Sequence, residues 1–257
     1  MPFNEAQSAA VSHKDGPMMV LAGPGSGKTT VVTHRVQSLI EKHGVNPSSI
    51  LVITFTRAAA REMKERFERL MEGRPMRGQV SFGTFHSVFF RILKLAYQYD
   101  ASDIIREDQK LRVIRELTAK EQLEPEDENE LISSLISEIS AVKGEQIDLE
   151  HYYAKSCSGD SFRRIYRGYE EQLQRAHKID FDDMLVMCWE LFRKRPDILS
   201  AWQKKYEYIL VDEFQDINRL QYQIVRMLAA PSDNLFIVGD DDQSIYKFRG
   251  ADIENIL

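Results

Sequence analysis

Met18-Met19-Val20-Leu21-Ala22-Gly23-Pro24-Gly25-Ser26-Gly27-Lys28-Thr29 is the stretch on which the fold turns. Four apolar residues that stop at glycines read as a buried strand. The glycines let a backbone wrap a phosphate with its N–H groups, and a helix that opens at the same point adds positive potential. Beyond Gly27, the residues Val31, Val32, Val36, Leu39 and Ile40 recur at helical spacing until about Lys42, where Gly44 and Pro47 end the element. Strand, glycine loop and helix in that order make a phosphate loop. Lys28 would reach the β- and γ-phosphates, and the Thr29 hydroxyl would ligate Mg²⁺. Ala22, Gly23, Pro24, Gly25, Ser26, Gly27 and Thr30 complete the expected nucleotide cradle; Ala22 stands at the first glycine position, where it closes the strand. The bland alternative is a glycine-rich turn that happens to precede a lysine, and the strand–loop–helix context argues against it.

The alternation continues on the C-terminal side. Ile50-Leu51-Val52-Ile53 is a second strand and Ala58 to Leu70 a second helix, then Val80-Ser81-Phe82 a weaker strand followed by a helix through Phe89, Ile92, Leu93 and Ala96. From about Ala101 to Lys178 the strands stop and amphipathic helical stretches take over, as in Leu111, Ile114, Leu117 and Leu131, Leu135, Ile136, Ile139. Strands resume at Tyr208-Ile209-Leu210-Val211 and Leu235-Phe236-Ile237-Val238. The expected architecture is an α/β domain with a parallel sheet, over residues 1–100 and 179–257, interrupted by an all-helical insertion over residues 101–178.

Composition sets the outer bounds. The chain has 257 residues, 34 Lys and Arg against 40 Asp and Glu, and a net charge of −6. A basic coat over the whole surface is excluded, but a local basic face is not. Residues 57–99 hold nine bases and four acids, whereas residues 101–150 hold 14 acids and six bases. The acidic block Glu124-Pro125-Glu126-Asp127-Glu128 reads as a solvated helix start. Cys157 and Cys188 are too few for a disulfide framework or a four-cysteine zinc site. No apolar run reaches the ~18 residues of a membrane span, and Met1-Pro2-Phe3-Asn4-Glu5 has no secretory character. A reduced, soluble, cytoplasmic protein is expected.

A phosphate loop needs a metal-holding acid and a group to activate water. Tyr208-Ile209-Leu210-Val211-Asp212-Glu213 offers both at the C-terminal end of a strand, where ligands sit in open α/β sheets. Asp212 would hold Mg²⁺ and Glu213 would orient and deprotonate the attacking water. Alone, two acids after an apolar run are as often a plain strand end; paired with the loop they carry weight.

Asp212-Glu213-Phe214-Gln215-Asp216 and Val238-Gly239-Asp240-Asp241-Asp242-Gln243-Ser244-Ile245-Tyr246-Lys247-Phe248-Arg249-Gly250-Ala251 resemble the signatures of superfamily 1 DNA helicases of the UvrD/PcrA/Rep type. Other blocks fall in the family's order. Phe3-Asn4 with Gln7 resembles its adenine-reading glutamine motif, Thr54-Phe55-Thr56-Arg57-Ala58-Ala59 its motif Ia, and Gly83-Thr84-Phe85-His86-Ser87 its motif Ib. Asp180-Phe181-Asp182-Asp183-Met184-Leu185 resembles the block that ends the helical insertion. The resemblance covers essentially the whole chain and implies a RecA-like core that uses ATP and Mg²⁺. Gln7, whose amide donates and accepts at once, would read the adenine edge. Gln243 would sense the γ-phosphate from beyond a strand end.

For DNA, the resemblance combines with a physical pattern, since single strands bind to stacking faces that alternate with cations. The candidates are Phe55, Thr56, Arg57, Phe85, His86, Tyr246, Phe248 and Arg249. Phe248 would stack a base, with Arg249 and His86 along the strand path. Core burial competes for Phe85 and is the reading adopted for Phe89. Three departures stand out: Arg57-Ala58 replaces the usual Asn-Lys, Phe248 the usual Trp, and Thr30 the common Arg.

The family's later motifs, with a second RecA-like core and its arginines, have no counterpart before Leu257. The chain therefore reads as the N-terminal ATP-binding part of a 3′-to-5′ helicase or translocase acting on single-stranded or 3′-tailed duplex DNA. Alone it is expected to bind Mg-ATP weakly and not to unwind. Two rivals share the loop: an ATP-gated DNA-binding module without catalysis, and a kinase. The kinase would need an acceptor lid, which the block from Gly239 to Ala251 does not offer.

Overall fold

The computed structural model describes residues 3–23, 25–123 and 126–240. In chain order the elements are α1 (Glu5–Ser12), β1 (Met18–Leu21), α2 (Lys28–Glu41), β2 (Ile50–Thr54), α3 (Arg57–Leu70), β3 (Ser81–Thr84) and α4 (Phe85–Tyr97). They continue with α5 (Glu107–Lys120), α6 (Glu128–Glu145), α7 (Gly159–Arg175), α8 (Phe181–Lys194), α9 (Pro196–Lys205), β4 (Tyr208–Val211), α10 (Arg219–Ala229) and β5 (Leu235–Gly239). Contacts divide the chain into two compact units, with residues 89–188 forming the second. The division falls inside α4 and α8, about ten residues outward from each border expected in the sequence, because the inner turns of both helices pack within the helical unit.

In the first unit, five strands form one wholly parallel sheet in the order β1-β5-β4-β2-β3. This is the RecA-like α/β fold that the resemblance implies. The central strands β2, β4 and β5 are buried at every position, which is why they read as unbroken apolar runs. Val31, Val32, Val36 and Leu39 of α2 and Met63 and Phe67 of α3 pack with Val52, Leu210, Phe236 and Val238 on one face of the sheet. The expectation that β1 is buried needs correction. It is an edge strand on which exposure alternates, with Met19 41% and Leu21 53% exposed while Met18 and Val20 join the core. A four-residue apolar run cannot distinguish an edge from a centre, because pairing on its second side is a tertiary fact.

One buried cation ties the N-terminal helix to this core. Arg35 of α2 is 1% exposed, lies 4.4 Å over the Phe236 ring, and donates to the carbonyls of Ala10, His13 and Lys14. Burial lowers its pKa to about 10, so it remains charged at neutral pH.

The second unit is helical, with one isolated parallel bridge between Ile104 and Ile179. Ile114, Leu117, Leu131, Leu135 and Ile139 enter its core at the spacing read from the sequence, and Phe162, Ile165, Tyr169 and Leu173 of α7 join them. Asp127 caps α6 through its side chain, so the end of the acidic block is a helix start. Beside the core lies a buried ionic cluster. Lys143 Nζ sits 2.6 Å from Glu170, 2.7 Å from Asp183 and 3.1 Å from Asp180, whose carboxylate also accepts from the Tyr169 hydroxyl at 2.9 Å. Burial pushes the Asp180 carboxyl up, but Lys143 and Lys110 outweigh it and leave it at about 2. Burial first, and the Asp180 charge second, push the Asp183 carboxyl above its ordinary value.

Candidate phosphate-binding site

Parallel registry brings the C-terminal ends of the strands to one edge of the sheet. Leu21 pairs with Gly239, Val211 with Ile237, and Ile53 with Val211. The Ala22 N–H donates to the Gly239 carbonyl at 3.0 Å and the Asp212 N–H to the Ile53 carbonyl at 2.9 Å, so sheet pairing reaches the first site residues. The loop after β1, the acids after β4 and Asp240 after β5 thus belong to three adjacent strands.

The loop is shaped for close approach. Gly25 and Gly27 adopt positive φ values of 72° and 84°, and Gly27 is the N-cap of α2. Helical bonding in α2 starts at Val31, whose N–H donates to the Gly27 carbonyl at 3.0 Å, so the amides of Lys28, Thr29 and Thr30 precede it, the arrangement that favours anions at helix N-termini. Thr29 and Thr30 follow in that first turn, and their carbonyls accept from the Thr33 hydroxyl at 3.0 Å each. Gln7 Nε2 donates to the Ser26 carbonyl at 2.9 Å and its Oε1 accepts from Asn4 N–H at 3.1 Å. The glutamine singled out in the sequence therefore braces the loop through a capping box on α1.

Lys28 is where the three strands meet. Its Nζ lies 3.7 Å from Glu213 Oε2 and 3.6 Å from Asp240 Oδ2. Asp212 is 5% exposed, and its Oδ1 is buried without a hydrogen-bond partner. Burial first, and the Glu213 charge second, raise the Asp212 carboxyl to about 6; the same causes raise Asp216 to about 6. Four carboxylates therefore gather near one lysine, an arrangement short of positive charge. Among the described residues no cluster of three His, Cys, Asp or Glu side chains could hold a metal by itself. Mg²⁺ takes one or two carboxylates and completes its shell with substrate phosphates and water. The residues present fit the ion: Asp212 offers an unpartnered buried oxygen, and Thr29 offers a hydroxyl in the first turn of α2.

Glu213 itself is held in an unusual backbone. Its φ of 53° is left-handed, a strained conformation for a non-glycine residue that recurs at functional sites. Its carboxylate accepts a hydrogen bond from Gln215 Nε2 at 2.8 Å. Asp240, Asp216 and Gln215 were not singled out in the sequence. The first two were readable only as members of acidic blocks, and nothing local marks a glutamine two residues past an acid pair as buried.

Of the sequence's DNA candidates, Phe55, Thr56, Arg57, Phe85 and His86 lie on the same edge, at strands away from β1. Phe55, Thr56 and Arg57 follow β2, with Phe55 half-buried and Arg57 exposed. The Thr56 hydroxyl accepts from Ala59 N–H and caps α3. His86 follows β3 and is half-buried. Phe85 is a correction: it is 1% exposed, packed inward as the first residue of α4, and presents no ring face on which a base could stack. The basic stretch is also quieter than its count suggests, because Arg66 pairs with Glu62, Lys64 with Glu68 and Arg74 with Glu41. Pro24, Gln243, Tyr246, Phe248 and Arg249 lie outside the described residues.

Comparison with known proteins identifies the family. The UvrD/REP helicase N-terminal domain model matches residues 3–257. The chain belongs to the UvrD/REP helicase family. It is 39% identical over 265 residues to a Staphylococcus aureus protein named ATP-dependent DNA helicase PcrA, covering 99% of this chain and 35% of the relative. It is 40% identical over 263 residues to the Bacillus subtilis protein of the same name, with the same coverage. The chain thus spans about a third of the length of these UvrD/REP relatives. No helix among the described residues is long and apolar enough to cross a membrane.

Proposed function

We propose that this chain is the ATP-binding N-terminal part of an ATP-dependent DNA helicase or single-strand translocase that moves 3′ to 5′. The observation that carries the reading is the placement of Lys28 within 4 Å of both Glu213 and Asp240, beside the buried, unpartnered Oδ1 of Asp212. A lysine held between two acids at the end of a glycine loop can exchange them for phosphate oxygens.

On this reading the amides of the loop from Gly23 to Thr30 cradle the triphosphate, and Lys28 neutralises charge on the β- and γ-phosphoryl groups. Glu213 orients the attacking water and accepts its proton. Asp212 and Thr29 hold Mg²⁺, which when bound supplies charge neutralisation on the phosphates. Gln7 keeps one amide hydrogen and one lone pair beyond its loop contacts, enough to read an adenine edge. Gln243 is the γ-phosphate sensor. Phe55, Thr56, Arg57 and His86, with Tyr246, Phe248 and Arg249, form the track for the DNA strand.

The relatives that match are about three times longer, and a second RecA-like core facing this cleft would bring an arginine to the γ-phosphate. Such arginines are worth ~10³–10⁵ in rate. The chain by itself should therefore bind Mg-ATP weakly, hydrolyse it slowly and unwind nothing. Titration with mant-ATP alongside a phosphate-release assay, with and without single-stranded DNA, tests this. Mg-dependent binding with little DNA-stimulated turnover is expected; strong DNA-stimulated turnover by the chain alone would defeat the assignment of that arginine to another core.

A further inference from the structure

Gln215 has no role in the mechanism above, yet it is 2% exposed and both ends of its amide are used. Its Nε2 donates to Glu213 Oε2 at 2.8 Å, and its Oε1 accepts from the Asp240 N–H at 3.0 Å. Only one orientation of the amide satisfies both contacts. The flipped form would set an NH₂ group against an N–H and an oxygen against a carboxylate. Room for the amide is made by Gly239, where an added Cβ would lie 3.1 Å from Gln215 Oε1 and 3.6 Å from the Gln215 nitrogen.

We propose that Gln215 is a positioning residue that aims the Glu213 carboxylate and links it to the end of β5. The inference rests on Glu213 acting on the attacking water, as proposed above. Among the described residues the other contact on the Glu213 carboxylate is Lys28 at 3.7 Å, a charge that a bound phosphate would compete for. Once Lys28 turns to phosphate, the Gln215 amide is the neutral donor left to hold the carboxylate. Because the same amide is pinned by the Asp240 backbone, a shift at the end of β5 is transmitted to Glu213 through a single buried side chain. The sequence that follows Asp240 holds Gln243 and the DNA candidates Tyr246, Phe248 and Arg249.

The test uses the full-length protein carrying this sequence and three variants beside wild type. Gln215→Glu keeps the acceptor for Asp240 N–H but removes the donor and faces Glu213 with a like charge. Gly239→Ala leaves Gln215 in place and displaces its amide by a few tenths of an ångström. Glu213→Gln is the control for the parent reading. Misplacing a catalytic group can cost about 10²-fold. The expected result is a 10- to 100-fold fall in DNA-stimulated kcat for Gln215→Glu and a smaller fall for Gly239→Ala. KM and mant-ATP affinity should stay within about twofold of wild type, since the donor steers the base and not the nucleotide. Wild-type kcat in Gln215→Glu overturns the inference, as does a parallel loss of nucleotide affinity and kcat, which would make Gln215 a general support of the fold. If Glu213→Gln itself still turns over, the failure lies with the parent reading.

Discussion

Replacing Asp212 with asparagine is expected to stabilise the protein while ending its turnover. Burial and the neighbouring Glu213 charge raise the Asp212 carboxyl from an ordinary 3.8 to about 6. At about 1.4 kcal/mol per pH unit, holding the ionised form costs the fold roughly 3 kcal/mol at neutral pH. The folded state binds this proton more tightly than the unfolded chain does. The cost is therefore absent below about pH 4, grows as pH rises through about 4 to 6, and is complete above that window. Asparagine matches the shape without the charge, although its NH₂ must find an acceptor. A gain of about 1–3 kcal/mol at about pH 7.5 follows, shrinking to under half at about pH 4.5. Both tryptophans, Trp189 and Trp202, belong to the first unit, so urea unfolding followed by intrinsic fluorescence reports on the unit that holds the site. The variant should show a higher midpoint at the higher pH with an unchanged slope. Mg²⁺ with a non-hydrolysable nucleotide should then raise the wild-type midpoint and leave the variant's almost unmoved. An equal or lower midpoint at about pH 7.5 would refute the reasoning, and an identical gain at both pH values would show that packing, not charge, is responsible.

Other perturbations separate the roles of neighbouring residues. Lys28→Ala should weaken mant-ATP binding by at least about tenfold by removing the phosphate cation, and near-wild-type affinity would remove Lys28 from the site. Arg35→Met should cost about 2–4 kcal/mol in the same urea assay, because the carbonyls of Ala10, His13 and Lys14 lose a charged donor; a cost below ~1 kcal/mol would mean the guanidinium is not what ties α1 to α2. Arg57→Ala in the full-length protein should weaken single-strand binding uniformly and lower the slope of log K against log salt by about one. Phe85→Leu should instead lower stability by about 1–2 kcal/mol and leave strand affinity unchanged, an outcome that fluorescence anisotropy with a labelled oligonucleotide distinguishes.

What the sequence allowed and what it withheld divide along physical lines. The glycine loop, the helix after it and the central strands announce themselves locally. Glycine at positive φ, an apolar run of strand length and helical periodicity all act over a few residues, and Tyr208–Val211 and Met18–Leu21 fall where the runs predict. The pairing of that loop with Asp212 and Glu213, almost two hundred residues away, was readable only because both motifs are local and one chemistry needs the two together. The withheld features are all tertiary. Exposure of Met19 and Leu21 depends on β1 having a single neighbour, and Phe85 is buried because α4 turns it inward, which its position after a strand does not reveal. Gln215, Asp216 and Asp240 enter the site because β4 and β5 are adjacent, and no spacing in the sequence states that adjacency. Arg35 sits in a helical stripe whose periodicity marks it as inward-facing, yet a charged residue there is easily assigned to solvent.

The site's central claim, that a nucleotide's phosphates and their metal lie between the loop at Lys28 and the acid at Asp212, is open to one direct measurement. A crystal structure with Mg²⁺ and a non-hydrolysable ATP analogue should place the γ-phosphate at Lys28 Nζ, with the metal between Thr29 and Asp212 and the Lys28–Glu213 contact broken. A nucleotide bound elsewhere on the chain, or Lys28 still engaged with Glu213 and Asp240 at saturating analogue, would contradict it.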